Sequence, residues 1–237
     1  MQIKWFEELD STNDELLRHI SAYDNLSVVA ALRQTAGRGQ RGNRWLSAGG
    51  ENLTFSILLR PEALPSAEFM ALTYLATLAV KGWLCRQGVP AEIKWPNDIY
   101  VGKRKICGML VENRLSGDCI AASVIGIGLN LNQTTFPGEL VNAVSLKQLT
   151  GRDYPLEETL EALLAGFDFT ALDSPSGRTR LWENYQDGLF QQGRECQYRN
   201  LLTGEEFRGT IKGATRDGRL LMADGKTFSL KEIGYII

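Results

Sequence analysis

The run Gln34-Thr35-Ala36-Gly37-Arg38-Gly39-Gln40-Arg41-Gly42-Asn43-Arg44-Trp45 holds three glycines and three arginines with no acid among them. Guanidinium forks and closely approaching backbone N–H groups suit a phosphate or a carboxylate. Gly37 to Gly42 also spells G-x-G-x-x-G, the form of a dinucleotide-binding turn. That turn should open a helix packed on its strand, and Asn43 to Gly50 carries no apolar helical face. The reading is an anion-clasping loop that orders over its ligand, against the plainer one of a surface loop. Lys94-Trp95-Pro96-Asn97-Asp98 projects two short polar side chains at a proline-stiffened turn, and alone it reads as a simple Asx turn. Lys103-Arg104-Lys105-Ile106-Cys107-Gly108 sets a lysine at a strand start, with Lys105 facing opposite Arg104 by strand alternation. Gly126-Ile127-Gly128-Leu129-Asn130 pairs close-approach glycines with an amide at a strand end.

The elements that must position these groups follow from periodicity and punctuation. Asp10-Ser11-Thr12-Asn13 is a cluster of cap formers, followed by a short helix over Asp14 to Ile20 with acids in its first turn. Ser27 to Leu32 and Leu53 to Leu59 read as strands flanking the arginine loop. A helix capped at Ser66 runs to Arg86 and ends before Gly88 and Pro90. Four strands follow in a tightly connected, mostly antiparallel meander: Ala91–Lys94, Ile99–Val101, Lys105–Asn113 and Cys119–Ile127, with turns at Gly102 and Ser116-Gly117. Leu156–Leu172 and Gly177–Tyr185 are helical by spacing. From Arg194 onward the chain is strand and turn, in the manner of a small β-barrel. Two domains are expected, 1–188 and 189–237.

Composition removes several function classes. The chain has 237 residues, 43% hydrophobic and 23% charged, and a formal net charge of −2, ordinary globular values. Bulk charge therefore does not suggest a protein that coats nucleic acid or an anionic membrane. The longest charge-free apolar stretch, Phe69 to Val80, falls short of the about 20 residues that cross a bilayer. The first residues lack a secretory pattern, which leads to the expectation of a cytoplasmic protein. Cys85, Cys107, Cys119 and Cys196 form no C-x-x-C pair, so neither a disulfide framework nor a thiolate metal site is expected. His19 is the only histidine, which argues against a Ser-His-Asp triad and an H-E-x-x-H zinc site.

In this order and spacing the clusters resemble the biotin protein ligases. Ser11-Thr12-Asn13 is similar to that family's S-T-N opening, and Gln34 with Gly37-Arg38-Gly39 to its G-R-G loop, closed by Trp45. Lys94 to Asp98 resembles its K-W-P-N-D string, Lys105 to Glu112 its K-x-x-G-(I/M)-L-x-E strand, and Gly126 to Asn130 its G-I-G-x-N. The resemblance implies an α+β fold: a mixed-sheet catalytic domain related to class II aminoacyl-tRNA synthetases, then a small SH3-like barrel. It implies a short form without the N-terminal helix-turn-helix domain that many bacterial members carry. The implied reaction joins biotin to ATP, with Mg²⁺, and passes the biotinyl group to a lysine of the biotin carboxyl carrier protein of an acyl-CoA carboxylase. No nucleic-acid or membrane partner is expected, and the resemblance also raises homodimer formation through a sheet edge.

Roles implied by the resemblance are as follows. Lys105, Arg38 and Arg41 are the catalytic cations. Ser11, Thr12, Asn13, Gln34, Gly37, Arg38, Gly39, Gln40, Lys105, Gly108 and Gly128 surround biotin. Arg41, Arg44, Trp45, Lys94, Asn97, Asp98 and Asn130 take the nucleotide, with Trp45 over the adenine. For Asp98 three roles stand open, accepting the incoming amine's proton, helping to organise Mg²⁺ or pairing with a loop arginine, and the last is the expected one. No protein-held metal site is implied. Gln40 stands where the best-known members carry an arginine that helps retain the adenylate. Three rival readings are a lipoate ligase or octanoyltransferase, a non-catalytic biotin or nucleotide module, and an RNA-binding protein using the arginine loop.

Overall fold

Seven strands form the central sheet, in the spatial order 3–9, 28–34, 53–59, 119–129, 104–116, 98–101 and 91–94. Its first unit is β1 (Ile3–Leu9), α1 (Thr12–Arg18) and β2 (Val28–Gln34). The helix crosses between two parallel strands, while every other neighbouring pair in the sheet is antiparallel. β3 (Leu53–Leu59) follows, then α2 (Met70–Arg86). The meander is β4 (Ala91–Lys94), β5 (Asp98–Val101), β6 (Arg104–Ser116) and β7 (Cys119–Leu129). Its turns place Gly102 and Gly117 at φ 58°, a left-handed conformation that glycine adopts without a Cβ penalty. The computed structural model describes residues 1–237, apart from the side chain of Arg41.

Strand alternation divides the sheet into two faces. Leu53, Phe55, Ile57 and Leu59 join Val28, Ala30, Met109, Ile125 and Ile127 in the large core. Leu58, Val29, Ala122 and Val124 meet Leu16 of α1 on the opposite face. α2 is apolar nearly all round, because α4 (Leu156–Leu164) and α5 (Pro175–Gln186) cover the sides that the sheet leaves open. The expected helix over Leu156–Leu172 is two pieces. α4 stops at Leu164, Gly166 follows, and a 3₁₀ turn occupies Phe169–Leu172. The helix expected over Gly177–Tyr185 starts earlier, with Ser174 capping the N–H of Gly177 and Pro175 in the first turn. α3 (Leu146–Thr150), closed by a Ser145–Gln148 capping box, and β1 are elements the periodicity did not mark.

The C-terminal strands are β8 (Glu195–Asn200), β9 (Glu206–Ala214), β10 (Leu220–Met222), β11 (Thr227–Phe228) and β12 (Ile233–Tyr235). They form an antiparallel sheet in the order β11-β10-β9-β8-β12. Tyr198, Ile211, Leu220 and Ile233 share the large core with α2 and α5. Trp95 Nε1, just past β4, donates to Gly218 O at 3.1 Å and Trp182 Nε1 of α5 to Ala214 O at 2.9 Å, fixing this sheet against the first and against α5.

Candidate active site

The α1 face of the sheet is polar where it should be apolar, and there the motifs meet. Ser11 caps α1, and its side chain accepts from Asp14 N–H. This places Thr12 and Asn13, both nearly fully buried, above β3. Thr54 and Ser56 are the polar residues of an otherwise apolar strand, and they occupy its α1 side. The Ser56 hydroxyl lies 2.7 Å from Thr12 Oγ1 and 2.6 Å from Asn13 Oδ1. Gln34, at the end of β2, accepts from Thr12 N–H at 2.8 Å and from its hydroxyl at 3.3 Å. Among the described residues its amide nitrogen has no acceptor, so it is available to a ligand.

Below these groups β6 and β7 present glycine instead of side chains. Gly108 pairs directly with Gly128, and Leu110 with Gly126. A methyl on Gly126 would collide with Asn13 Oδ1, and one on Gly128 with the ring of Trp45. The floor is bare because its neighbours need the volume. Trp45 itself lies on the Gly108–Gly128 floor, its Nε1–H buried and without an acceptor among the described residues.

The arginine loop is a small closed hairpin. Trp45 N–H donates to Gly37 O at 2.9 Å, Gly39 N–H to Asn43 O at 2.7 Å, and Arg38 bridges Arg44. Two acids hold Arg38. Its guanidinium donates to Glu112 through both nitrogens, at 3.0 and 2.8 Å, and to Asp14 at 2.5 Å. The Glu112 carboxylate beside it holds Arg38 still more firmly protonated than usual. The calls on Arg41 lie outside the described residues. The expected pairing of Asp98 with a loop arginine is corrected: Asp98 sits 2.7 Å from the Lys105 ammonium. The reason is register. Asp98 opposes Gly108 on β6, so Lys105 reaches it across the strand pair, while the loop arginine is taken by nearer acids.

Two adjacent cavities result. The first, of about 340 Å³, is lined by Ser11, Thr12, Asn13, Gln34, Arg38, Gly39, Gln40, Arg44, Trp45, Lys94, Asn97, Asp98, Lys105, Gly108 and Gly128. The second, of about 230 Å³, is lined by Tyr100, Asn130 and the segment 139–143. Lys105, Arg44 and Trp45 line both. The structure thus gathers nearly all the residues singled out from the sequence. Gly37 is not on either wall; it closes the loop against the Trp45 carbonyl. Asn130 belongs to the second cavity, where its amide donates to Val144 O at 3.1 Å. The Asn97 amide donates to Met109 O, tying β5 to β6.

Other wall residues were not found from sequence. Leu201, Leu230, Ile233, Gly234 and Tyr235 of the C-terminal sheet complete the first cavity, and the Lys94 ammonium lies 4.6 Å from the centre of the Tyr235 ring. No local pattern marks these. Ser56, behind the wall, left a weak signal as a polar residue of a buried strand, whereas Glu112 already closes the K-x-x-G-(I/M)-L-x-E run.

The chain is similar to known proteins in both sequence and fold. Residues 5–130 match the biotin/lipoate A/B protein ligase family. The bifunctional ligase/repressor BirA of Bacillus spizizenii is 35% identical over 204 residues, covering 83% of this chain and 61% of that protein. The chain therefore spans about three fifths of that relative. The biotin–[acetyl-CoA-carboxylase] ligase of Paracoccus denitrificans is 34% identical over 164 residues, 67% of this chain and 68% of that one. Among solved structures, the biotin protein ligase from Aquifex aeolicus in complex with biotin and ATP superposes with a TM-score of 0.77 at 28% identity, covering 98% of this chain and 97% of that one. By fold, motif order and site geometry, this chain belongs to the biotin/lipoate A/B protein ligase family.

Proposed function

We propose that this chain activates biotin with ATP and transfers it to a lysine of the biotin carboxyl carrier domain of an acyl-CoA carboxylase. One observation carries the reading: a single lysine, Lys105, stands between two cavities of different character. An acid in the first and a nucleotide in the second would meet at its ammonium. A biotin carboxylate oxygen attacks the α-phosphorus of ATP and pyrophosphate leaves. The carrier amine then attacks the acyl carbon, AMP leaves, and the amine loses a proton. Both steps involve anions, which the positive charge of Lys105 stabilises.

In this reading Ser11, Thr12 and the Gln34 amide bind the polar ureido ring, and Asn13 holds the wall. Backbone at Gly39, Gln40 and Gly108 closes around the ring, Gly37 lets the loop close against the Trp45 carbonyl, and Trp45 leaves the Gly128 floor to cover the nucleotide. Arg41 and Arg44 take phosphate oxygens, Lys94 and Asp98 order the junction, and Asn130 and Asn97 frame the nucleotide side. Among the described residues no cluster of three His, Cys, Asp or Glu could hold a metal ion. Asp98 is the one acid among the described residues of the first cavity wall. This donor set fits Mg²⁺ carried by the substrate phosphates and touched by one carboxylate, its usual protein environment. When bound, the ion neutralises phosphate charge.

The relatives' names support the substrate and carrier, since one is named a biotin–[acetyl-CoA-carboxylase] ligase and another was solved with biotin and ATP. The same reading takes 189–237 as an SH3-like barrel domain and 1–188 as a catalytic domain akin to class II aminoacyl-tRNA synthetases. It includes no nucleic-acid or membrane partner, and a homodimer through an open sheet edge. Among the described residues no helix is long and apolar enough to cross a membrane. The test is mass spectrometry of purified protein with Mg-ATP and either biotin or lipoate. Biotinyl-adenylate and pyrophosphate, lost on Lys105→Ala, support the reading. Lipoyl-adenylate alone would move the assignment within the family, and no adenylate with either acid would refute it.

A further inference from the structure

We propose that Glu112 is a positioning residue whose carboxylate fastens the arginine loop to the ligand-facing end of α1, so that the two walls of the first cavity form as one unit. Glu112 lies midway along β6, opposite Val124, on the face that carries the site. Its Oε2 accepts from Asn13 Nδ2 at 2.8 Å and from Arg38 at 3.0 Å, and its Oε1 accepts from the other Arg38 nitrogen at 2.8 Å. One side chain thus holds both the helix terminus and the loop, joining Asn13 and Arg38 on a single carboxylate. The Arg38 fork is bidentate, the geometry in which a guanidinium–carboxylate pair fixes direction as well as distance. Asp14 reinforces it from α1 itself.

The consequence concerns Arg38. Charge that would serve an anion is spent on a strap, so loop closure here does not require ligand to hold Arg38 in place. The sheet supplies the anchor, and the ligand meets a wall already assembled. Ordering a loop before binding removes that cost from the binding step. Glu112→Gln keeps an oxygen for Asn13 and the length of the side chain, and removes the charge that holds the fork.

The experiment uses the full chain and two readouts. Limited trypsin digestion without ligand measures cutting after Arg38, Arg41 and Arg44 against cutting elsewhere. Steady-state adenylation measures KM for biotin and kcat separately. Glu112→Gln is expected to speed loop cutting at least about fivefold and to raise the biotin KM by a similar factor, with kcat at saturating biotin changed less than about twofold. Arg38→Gln should speed cutting after Arg41 and Arg44 by a similar factor, and the Glu112→Gln/Arg38→Gln double variant no more than either single, the signature of one shared interaction. Loop cutting and KM within about twofold of the unaltered protein would overturn the proposal, as would effects that multiply in the double variant. Cutting that rises equally outside the loop would also overturn it, as general loosening. The inference rests on the first cavity being the biotin site. If the unaltered protein makes no adenylate, that reading fails, while ligand-free cleavage still judges the strap.

Discussion

Replacing Lys105 by Met keeps the stem of the side chain and removes its charge. The backbone bonds that seat it, Lys105 N–H to Asn142 O at 2.6 Å and Val144 N–H to Lys105 O at 3.0 Å, are untouched. An ammonium about 4 Å from the reacting phosphate is worth about 4 kcal/mol at an effective dielectric of about 20. The Lys105 side chain is 33% exposed, so water screens part of this and about 2–3 kcal/mol remains. At about 1.4 kcal/mol per tenfold, that is a loss of about 30- to 150-fold in the adenylation rate. A second effect has the same sign. Asp98, only 20% exposed, loses its partner and faces two anionic substrates. Leaving a half-buried charge unpaired costs more than the pair was worth, so the total should reach about 100- to 1,000-fold. Lys105→Met/Asp98→Asn removes the stranded charge and should recover about tenfold of the loss. Biotin-dependent exchange of labelled pyrophosphate into ATP measures all three proteins. A single variant within about threefold of the unaltered enzyme, or a double variant slower than the single, would refute the electrostatic argument.

Other consequences follow from close packing and burial. Gly126→Ala drives a methyl into Asn13 Oδ1, an overpacking that should cost about 1–3 kcal/mol in a urea melt and weaken biotin binding in calorimetry. An unchanged melt and affinity would show that α1 yields freely. Gly128→Ala evicts the Trp45 ring from its floor. Tryptophan emission should shift to the red, whereas unchanged emission would place the ring elsewhere in solution. Burial pushes the Cys107 thiol well above its usual range, while Cys85 and Cys119 are exposed. Iodoacetamide at pH 8 should label those two and spare Cys107 in the native protein, since only thiolate reacts. Comparable labelling of Cys107 would mean that β6 opens readily.

Much of the site was legible because its chemistry is concentrated in short runs. A loop of arginines and glycines, a lysine at a strand start and a cap-rich helix N-terminus each need only local sequence to be seen. The strands of the meander were equally plain, since tight turns at Gly102 and Gly117 fix their boundaries. β1 was not, because Ile3–Leu9 mixes acids with aromatics and gains its strand form from parallel pairing with β2, 25 residues away in register. The long helix expected after Leu156 failed for the converse reason. Its apolar spacing continues past Leu164, but the chain turns at Gly166, packed against Leu163 O and Arg86.

What the sequence alone determined was therefore the inventory: which side chains could do chemistry, on which element each sits, and the family they resemble. Which of them touch was decided by the tertiary structure. Arg38 and Lys105 are both cations in prominent motifs, and nothing local says which acid each will meet. The fold makes the distinction by setting Glu112 and Asp14 beside the first and Asp98 beside the second. The C-terminal residues that finish the cavity lie about 70 to 105 positions beyond the last motif, Tyr235 farthest of all. Spacing along a chain reports local periodicity, whereas an ion pair depends on strand register and on which way each strand's side chains face, and those are fixed only when the sheet assembles.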